Sequence, residues 1–315
     1  MTWSILASAA ALVTVANAPD IRPPLPLQAD AVQSDHEVLD LEEERHRRFT
    51  VAVTVMGRGP YKFLIDTGSQ ATVLSTDLAD RLEMQDRLTA TLLAMNSSRT
   101  VQTIFVPELT VGSRTTYIRN APLLDPSNFG DADGILGLDS LQDQRVVLDF
   151  ANEEILIANA EELGGNTGYD IVVRAKSKRG QLIITSAMLD GVKTAVIIDT
   201  GAQVSVGNTA LLKRLRRARH HGQSALIDVN GVGSLGQVKI ARELKMERVN
   251  LTNLPLVFSD SPAFAALGLA DKPALMLGMS ELRLFDRVAI DFESRRVLFD
   301  VPRNVGVPFS DSFRN

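Results

Sequence analysis

The chain is 315 residues long and 45% hydrophobic, with a net charge of −5 and no cysteine. That length allows two domains of ordinary size with filled cores, and the near-neutral balance leaves no electrostatic footprint for a nucleic-acid partner. The missing thiols exclude disulfides, thiolate metal sites and a cysteine nucleophile, and the four histidines (His36, His46, His220 and His221) lie in no catalytic or zinc-binding pattern, so no metal or cofactor is expected.

In chain order, residues 1–18 form the first element. An apolar segment from Ile5 to Val15 ends in Ala16-Asn17-Ala18, the pattern of a secretory signal peptide. It predicts an exported protein, placed in the periplasm, with secretion or a membrane anchor as the alternatives. No later run reaches the roughly 18 apolar residues that span a bilayer, so no stable membrane insertion is expected after processing. Residues 19–48, with Pro23-Pro24-Leu25-Pro26 and the block Glu42-Glu43-Glu44-Arg45, read as an extended leader without core-forming residues, a spacer or a propeptide.

From Phe49 the pattern changes. Phe49 to Val55 alternates as a strand, Met56 to Pro60 turns the chain, and Tyr61 to Ile65 runs back into Asp66-Thr67-Gly68-Ser69. The second half repeats the arrangement: Leu182 to Leu189, a turn at Asp190-Gly191, then Val192 to Ile198 into Asp199-Thr200-Gly201-Ala202. The offset is 199 − 66 = 133 residues, and 10 of 18 positions are identical between Ile65–Leu82 and Ile198–Leu215, which marks an internal duplication. After each acid a short strand is predicted (Ala71 to Leu74; Val204 to Val206), then an N-cap, Ser75 or Asn208, opening a helix over Thr76 to Leu82 or Thr209 to about Arg217. The basic run from Lys213 to His221 then falls on the solvated side of that helix, opposite Leu211, Leu212 and Leu215.

Each half carries a second shared signal. Ile135-Leu136-Gly137 precedes Arg145 to Phe150, and Met276-Leu277-Gly278 precedes Arg287 to Phe292, with the glycines 278 − 137 = 141 apart. Such a glycine suits a strand passing directly beneath the acid-bearing turn, where a side chain would collide. Asp149 and Asp291, each following an arginine at a fixed distance, read as partners in a structural ion pair or a strand-end contact. These signals divide the chain into a lobe over 49–160, a linker over 161–170 with Gly164-Gly165-Asn166, a second lobe over 171–302 and a tail over 303–315.

Two carboxylates at the tips of matching turns, brought together at a pseudo-two-fold axis, cannot both ionise and would hold one proton between them. Hydrolysis of an amide by water needs that state: one carboxylate takes a proton from the water while the other, protonated, polarises the scissile carbonyl. Asp66 and Asp199 are the candidate catalytic pair. Gly68 and Gly201 leave room at the turns, Thr67 and Thr200 have hydroxyls suited to bond across the axis, and Ser69 has a hydroxyl for the outer oxygen of Asp66 that Ala202 lacks for Asp199. Asp66 is therefore expected to be the more readily ionised member.

The doubled pattern of two hydrophobic residues, Asp-Thr-Gly and Ser or Ala, each followed by two hydrophobic residues and a glycine, resembles the retropepsin and pepsin aspartic proteases over roughly Phe49 to Val301. By lobe length it looks like a single-chain bacterial retropepsin. The resemblance implies an all-β bilobal fold with short helices, two retropepsin-like lobes about a pseudo-two-fold axis, and a monomeric aspartic endopeptidase that takes polypeptide in extended conformation. A non-catalytic peptide-binding relative using the same cleft is the alternative. These families close the cleft with hairpin flaps. The candidates here are Met95, Asn96 and Ser97 in the first lobe, without glycine or tyrosine, and the glycine-rich Asn230, Gly231 and Gly233 in the second, with either or both serving.

Overall fold

The computed structural model describes residues 12–14, 50–112, 114–128, 130–215 and 218–302. The rest of the expected signal peptide, the leader and the tail lie outside the described residues. In the first half the chain runs β1 (Leu12–Thr14), β2 (Thr50–Val55), β3 (Arg58–Ile65), β4 (Val73–Ser75), α1 (Thr76–Arg81), β5 (Arg87–Leu93) and β6 (Ser98–Val111). It continues through β7 (Arg114–Leu124), β8 (Gly134–Leu136), α2 (Leu138–Leu141), β9 (Arg145–Asp149) and β10 (Glu154–Ala158). The second half opens with β11 (Ile171–Arg174), β12 (Lys176–Lys178), β13 (Gln181–Leu189), β14 (Val192–Ile198), β15 (Val206–Gly207), α3 (Thr209–Leu212) and β16 (Arg219–Ile227). It closes with β17 (Gly233–Met246), β18 (Val249–Phe258), α4 (Pro262–Ala266), β19 (Ala274–Leu277), α5 (Met279–Leu282), β20 (Arg287–Asp291) and β21 (Arg296–Asp300).

The fold is all-β and bilobal. Among the described residues each lobe is an eight-stranded sheet, ordered β1-β5-β6-β2-β3-β8-β4-β7 in the first and β12-β13-β14-β19-β15-β18-β17-β16 in the second. The repeat is visible in the pairing. β3, which carries Asp66 at its end, runs parallel to β8, and β14, which delivers Asp199, runs parallel to β19. Both helix starts follow from capping chemistry: the Ser75 hydroxyl accepts from the Leu78 N–H and the Asn208 side chain from the Leu211 N–H.

The second helix is shorter than its sequence predicts. α3 ends at Leu212, and Arg219 to His221 belong to β16, which pairs with β17 from Arg219↔Ile240 to Ile227↔Gly233. A nine-residue strand with a full partner outcompetes the extension of a four-residue helix, since tertiary pairing overrides local propensity. Leu211 and Leu215 are still buried.

A third sheet, β10-β9-β20-β21-β11, joins the lobes. Its centre is the antiparallel contact of β9 with β20, where Val147 faces Ala289 and Arg145 faces Asp291. The largest apolar cluster is continuous through this junction, taking in Phe63 and Leu136 from one lobe, Val196 and Leu277 from the other, and Val146, Leu148, Val288 and Ile290 from the shared sheet. Burying such side chains is the main favourable term of folding.

Among the described residues one charge pair crosses this interface. Arg145, fully buried, binds Asp291 at 2.6 Å and also donates to the Gly165 carbonyl and to Asn166 Oδ1, tying the linker to the sheet. Its repeat counterpart Arg287 faces Asp149 in register but binds Asp300 at 2.9 Å instead, while Asp149 accepts from Asn152. Removing one partner of a buried pair strands the other charge. Arg145→Ala is therefore expected to destabilise the protein by about 3–5 kcal/mol, and Arg287→Ala, at a half-exposed pair, by no more than about 1 kcal/mol. Urea unfolding midpoints of the two variants check this, and equal losses would refute it.

Candidate active site

Asp66 and Asp199 each stand where a buried strand stops. The Asp66 N–H donates to the Leu136 carbonyl and the Asp199 N–H to the Leu277 carbonyl, both at 3.0 Å, so each acid is the last residue held by the parallel strand beside it. The chain then turns, and the N–H groups two and three residues on point back at the carboxylate. Gly68 and Ser69 donate to Asp66 Oδ1 at 2.8 and 2.9 Å; Gly201 and Ala202 donate to Asp199 Oδ1, both at 3.1 Å.

The two turns are locked by their threonines. Thr67 Oγ1 donates to the Ile198 carbonyl at 2.9 Å and accepts from the Thr200 N–H at 3.2 Å; Thr200 Oγ1 donates to the Ile65 carbonyl at 2.8 Å and accepts from the Thr67 N–H at 3.0 Å. Each hydroxyl uses its one proton and a lone pair on the opposite lobe. The glycines are explained by the same approach. A Cβ on Gly68 would lie 2.6 Å from Asp199 Oδ1, and one on Gly201 would overlap the Asp66 carboxyl group. Beneath the turns, a Cβ on Gly137 would overlap the Ala71 backbone and one on Gly278 would lie 2.8 Å from the Val204 backbone.

The acids are 2% and 0% exposed and within hydrogen-bonding reach of each other. Burial pushes Asp66 up to about 6, against the pull of the Gly68 and Ser69 N–H groups and of its bond with Asp199. Asp199 is driven well above the ordinary carboxylate range by burial first and by the Asp66 charge second. Asp199 Oδ2 is buried without a hydrogen-bond partner among the described residues, and a single proton held between the two carboxyls would satisfy it.

Burial raises both acids, and the Asp66 charge raises Asp199 further. The Ser69 N–H donates to Asp66 Oδ1 at 2.9 Å, and Ser69 Oγ donates to the Ala71 carbonyl at 2.8 Å.

Four residues that the motif reading passed over support the turns. Thr72 Oγ1 donates to Asp139 at 2.6 Å and accepts from the Gly137 N–H; Ser205 Oγ donates to Glu281 and accepts from the Gly278 N–H. Burial raises both Asp139 and Glu281. Their spacing was available in the chain: 205 − 72 = 133 and 281 − 139 = 142, the intervals separating the two acids and the two later strands. Gln181 Nε2 also donates to the Gly68 carbonyl across the lobes.

The flap candidates form the tips of two hairpins, β5–β6 and β16–β17, and the structure brings these tips together: the Asn96 N–H and Ser97 hydroxyl of one lobe bond Asp228 of the other. Asn230 and Gly231 belong to the second tip, and Gly233 begins β17. The backbone of Leu12–Thr14 pairs with Thr91–Leu93 along the edge of the first hairpin. Among the described residues no cluster of histidine and carboxylates is arranged to hold a metal ion, and no helix is long and apolar enough to cross a membrane.

Residues 51–143 match the model of the gag-polyprotein aspartyl protease family, and residues 185–280 match that of the aspartyl protease family. Among solved structures, a retropepsin-like aspartic protease from Rickettsia conorii is similar at 18% identity with a TM-score of 0.29, over 41% of this chain and 88% of that one. No curated protein matches the chain.

Both dyad acids have folded-state pKa values above the unfolded one, so folding takes up protons. The Asp66 contribution to stability is complete below about pH 4 and is lost as the pH rises through about 6, and the Asp199 contribution is lost on the same alkaline side. For Asp66 alone the change is on the order of 3 kcal/mol. The unfolding free energy is expected to fall between pH 4 and 7, and the Asp66→Asn/Asp199→Asn double variant, whose amide oxygens still accept the turn N–H groups, is expected to lose most of that slope. Parallel slopes in denaturant titrations of the two proteins would contradict this.

Proposed function

We propose, from the premise that the chain is a retropepsin-like aspartic protease with two aspartyl protease domains in tandem, that it is an endopeptidase whose dyad is Asp66 and Asp199. One observation carries the reading: two buried carboxylates within hydrogen-bonding reach, each fixed by two turn N–H groups and clamped by reciprocal threonine bonds.

In this reading the ionised Asp66 accepts a proton from a water molecule as its oxygen attacks the scissile carbonyl carbon. Asp199, protonated, gives its proton to the carbonyl oxygen, forming a neutral gem-diol. Collapse returns the diol proton to one carboxyl while the proton taken from water passes to the leaving nitrogen, so the C–N bond breaks and the dyad again holds one proton. The difference between the acids supports these roles, because the pair needs one member that ionises readily and one that resists. The peptide would lie extended between the lobes beneath the hairpins. Both acids are on one chain, which supports action as a monomer, and the pattern in residues 1–18 supports export to the periplasm.

Asp66→Asn and Asp199→Asn, made singly, are each expected to lower kcat on a casein-type substrate by at least about a thousandfold while binding to a statine-type inhibitor remains measurable. Substantial turnover in either variant would defeat the shared dyad, and inhibitor binding without turnover in the wild type would mark a peptide-binding relative. The acid limb of the kcat/KM profile is expected near pH 6, where Asp66 takes up its proton, well above the ordinary carboxylate range. A limb near pH 4 that is unchanged in inhibitor-binding profiles would overturn that assignment.

A further inference from the structure

The two hairpin tips do more than approach each other. The first, Ala94 to Ser97, closes with the Ala94 N–H on the Ser97 carbonyl at 2.8 Å; the second, Asp228 to Val232, closes with Asp228 N–H on the Val232 carbonyl at 3.0 Å and Gly231 N–H on the Asp228 carbonyl at 2.9 Å. Asp228 holds the place in its tip that Ala94 holds in the first: each is the residue after the strand, and its N–H closes the turn. One lobe therefore places a carboxylate where the other places a methyl group.

That carboxylate serves both tips. Its Oδ1 accepts from the Asn230 and Val232 N–H groups, both at 3.0 Å, and shapes its own turn. Its Oδ2 accepts from the Asn96 N–H at 3.0 Å and the Ser97 hydroxyl at 2.6 Å, both from the opposite lobe. The surrounding bonds point the same way. Asn96 Nδ2 donates to the Leu226 and Val232 carbonyls, Ser234 Oγ donates to Asn96 Oδ1, and Asn230 Nδ2 donates to Ser97 Oγ. Asp228 is 2% exposed, and a buried carboxylate of this kind is tolerable only while its donors are in place.

Apolar side chains are exchanged on either side of this knot. Met95 is buried in a cluster whose other fully buried members, among them Leu226 and Phe264, all belong to the second lobe. Val229 is buried in one whose other members, among them Leu92 and Leu124, all belong to the first. Separating the tips exposes both side chains and strips Asp228 of two donors at once, so the contacts form and break together.

We infer that Asp228 is a positioning residue that latches the two hairpins to each other, its carboxylate at the centre of the cross-lobe bonds, so that the cleft opens and closes as one lid. The latch rests on the hairpin geometry; its effect on turnover rests on the proteolytic reading above. A peptide longer than the cleft enters only when the latch is open, and a bound peptide or inhibitor is retained while it is shut.

The test is amide hydrogen exchange on the full chain, read at Ala94 and Gly231, whose N–H groups bond to backbone carbonyls of their own hairpins and not to Asp228 Oδ. Asp228→Ala is expected to speed exchange at both sites by about tenfold to a hundredfold, with the response at Ala94 arising in the lobe that was not mutated. Ser97→Ala, which leaves the Asp228 turn intact, is expected to act in the same direction at Gly231. The double variant should add little to Asp228→Ala alone, since both remove one network. Dissociation of a statine-type inhibitor should accelerate with KM rising more than kcat changes. Unchanged exchange at Ala94 in Asp228→Ala and at Gly231 in Ser97→Ala would overturn the latch, as would an equal acceleration at core amides such as Val196, which would mark general destabilisation. Should the protein prove catalytically silent, the exchange results still decide the latch, and only the proteolytic reading falls.

Discussion

Two buried carboxylates sit between two lobes, and the rest of the structure has to hold them there. Burial pushes both toward the protonated form and the Asp66 charge raises Asp199 further, so the pair itself opposes folding at neutral pH. Uncharged groups close the gap together with one buried ion pair, Arg145–Asp291. Four threonine bonds span the turns, the β9–β20 ladder runs between the lobes, and a continuous apolar cluster passes through the junction. A site whose ionised state is unfavourable is stable only if its scaffold over-determines it.

The duplication explains how one short motif can supply such a scaffold. Each half makes the same local structure, a hairpin feeding a strand that ends in an acid, with a parallel strand beside it and a glycine beneath. Reciprocal contacts then follow from pseudo-two-fold symmetry, because what Thr67 gives to Ile198 is what Thr200 gives to Ile65. Each glycine is required by the acid of the other half. The motif is therefore complete only across the axis, although each copy is a few residues long.

What could be read from the chain was local or repeated. The strands that lead to Asp66 and Asp199, the caps at Ser75 and Asn208, and the glycines that pass under the turns all follow from nearest-neighbour chemistry and recur at a fixed spacing. What could not be read depended on choices between partners distant in sequence. The chain after Leu212 joins β16 because β17 offers a full ladder. Arg287 turns to Asp300 rather than to the Asp149 that faces it, a choice that register leaves open. The Ser69 hydroxyl has one proton, and the Ala71 carbonyl takes it. Thr72 and Ser205 were legible by spacing, yet their role as props for the glycine strands appears only when Asp139 and Glu281 are seen beneath them.

The departures from symmetry carry as much of the argument as the symmetry does. A perfectly two-fold pair would give neither acid a preference, and here the turn N–H groups stand closer to Asp66, at 2.8 and 2.9 Å, than to Asp199, both at 3.1 Å. At the hairpins the divergence is chemical instead, with Asp228 in one copy and Ala94 in the other. A carboxylate at both positions would set two buried negative charges against each other at the tips, and an alanine at both would remove the acceptor that the Asn96 N–H and Ser97 hydroxyl share. A single acid facing donors from the opposite lobe avoids both problems. A single-chain arrangement allows that solution, because its two copies are free to differ at one position, whereas two identical chains must place the same residue on both sides.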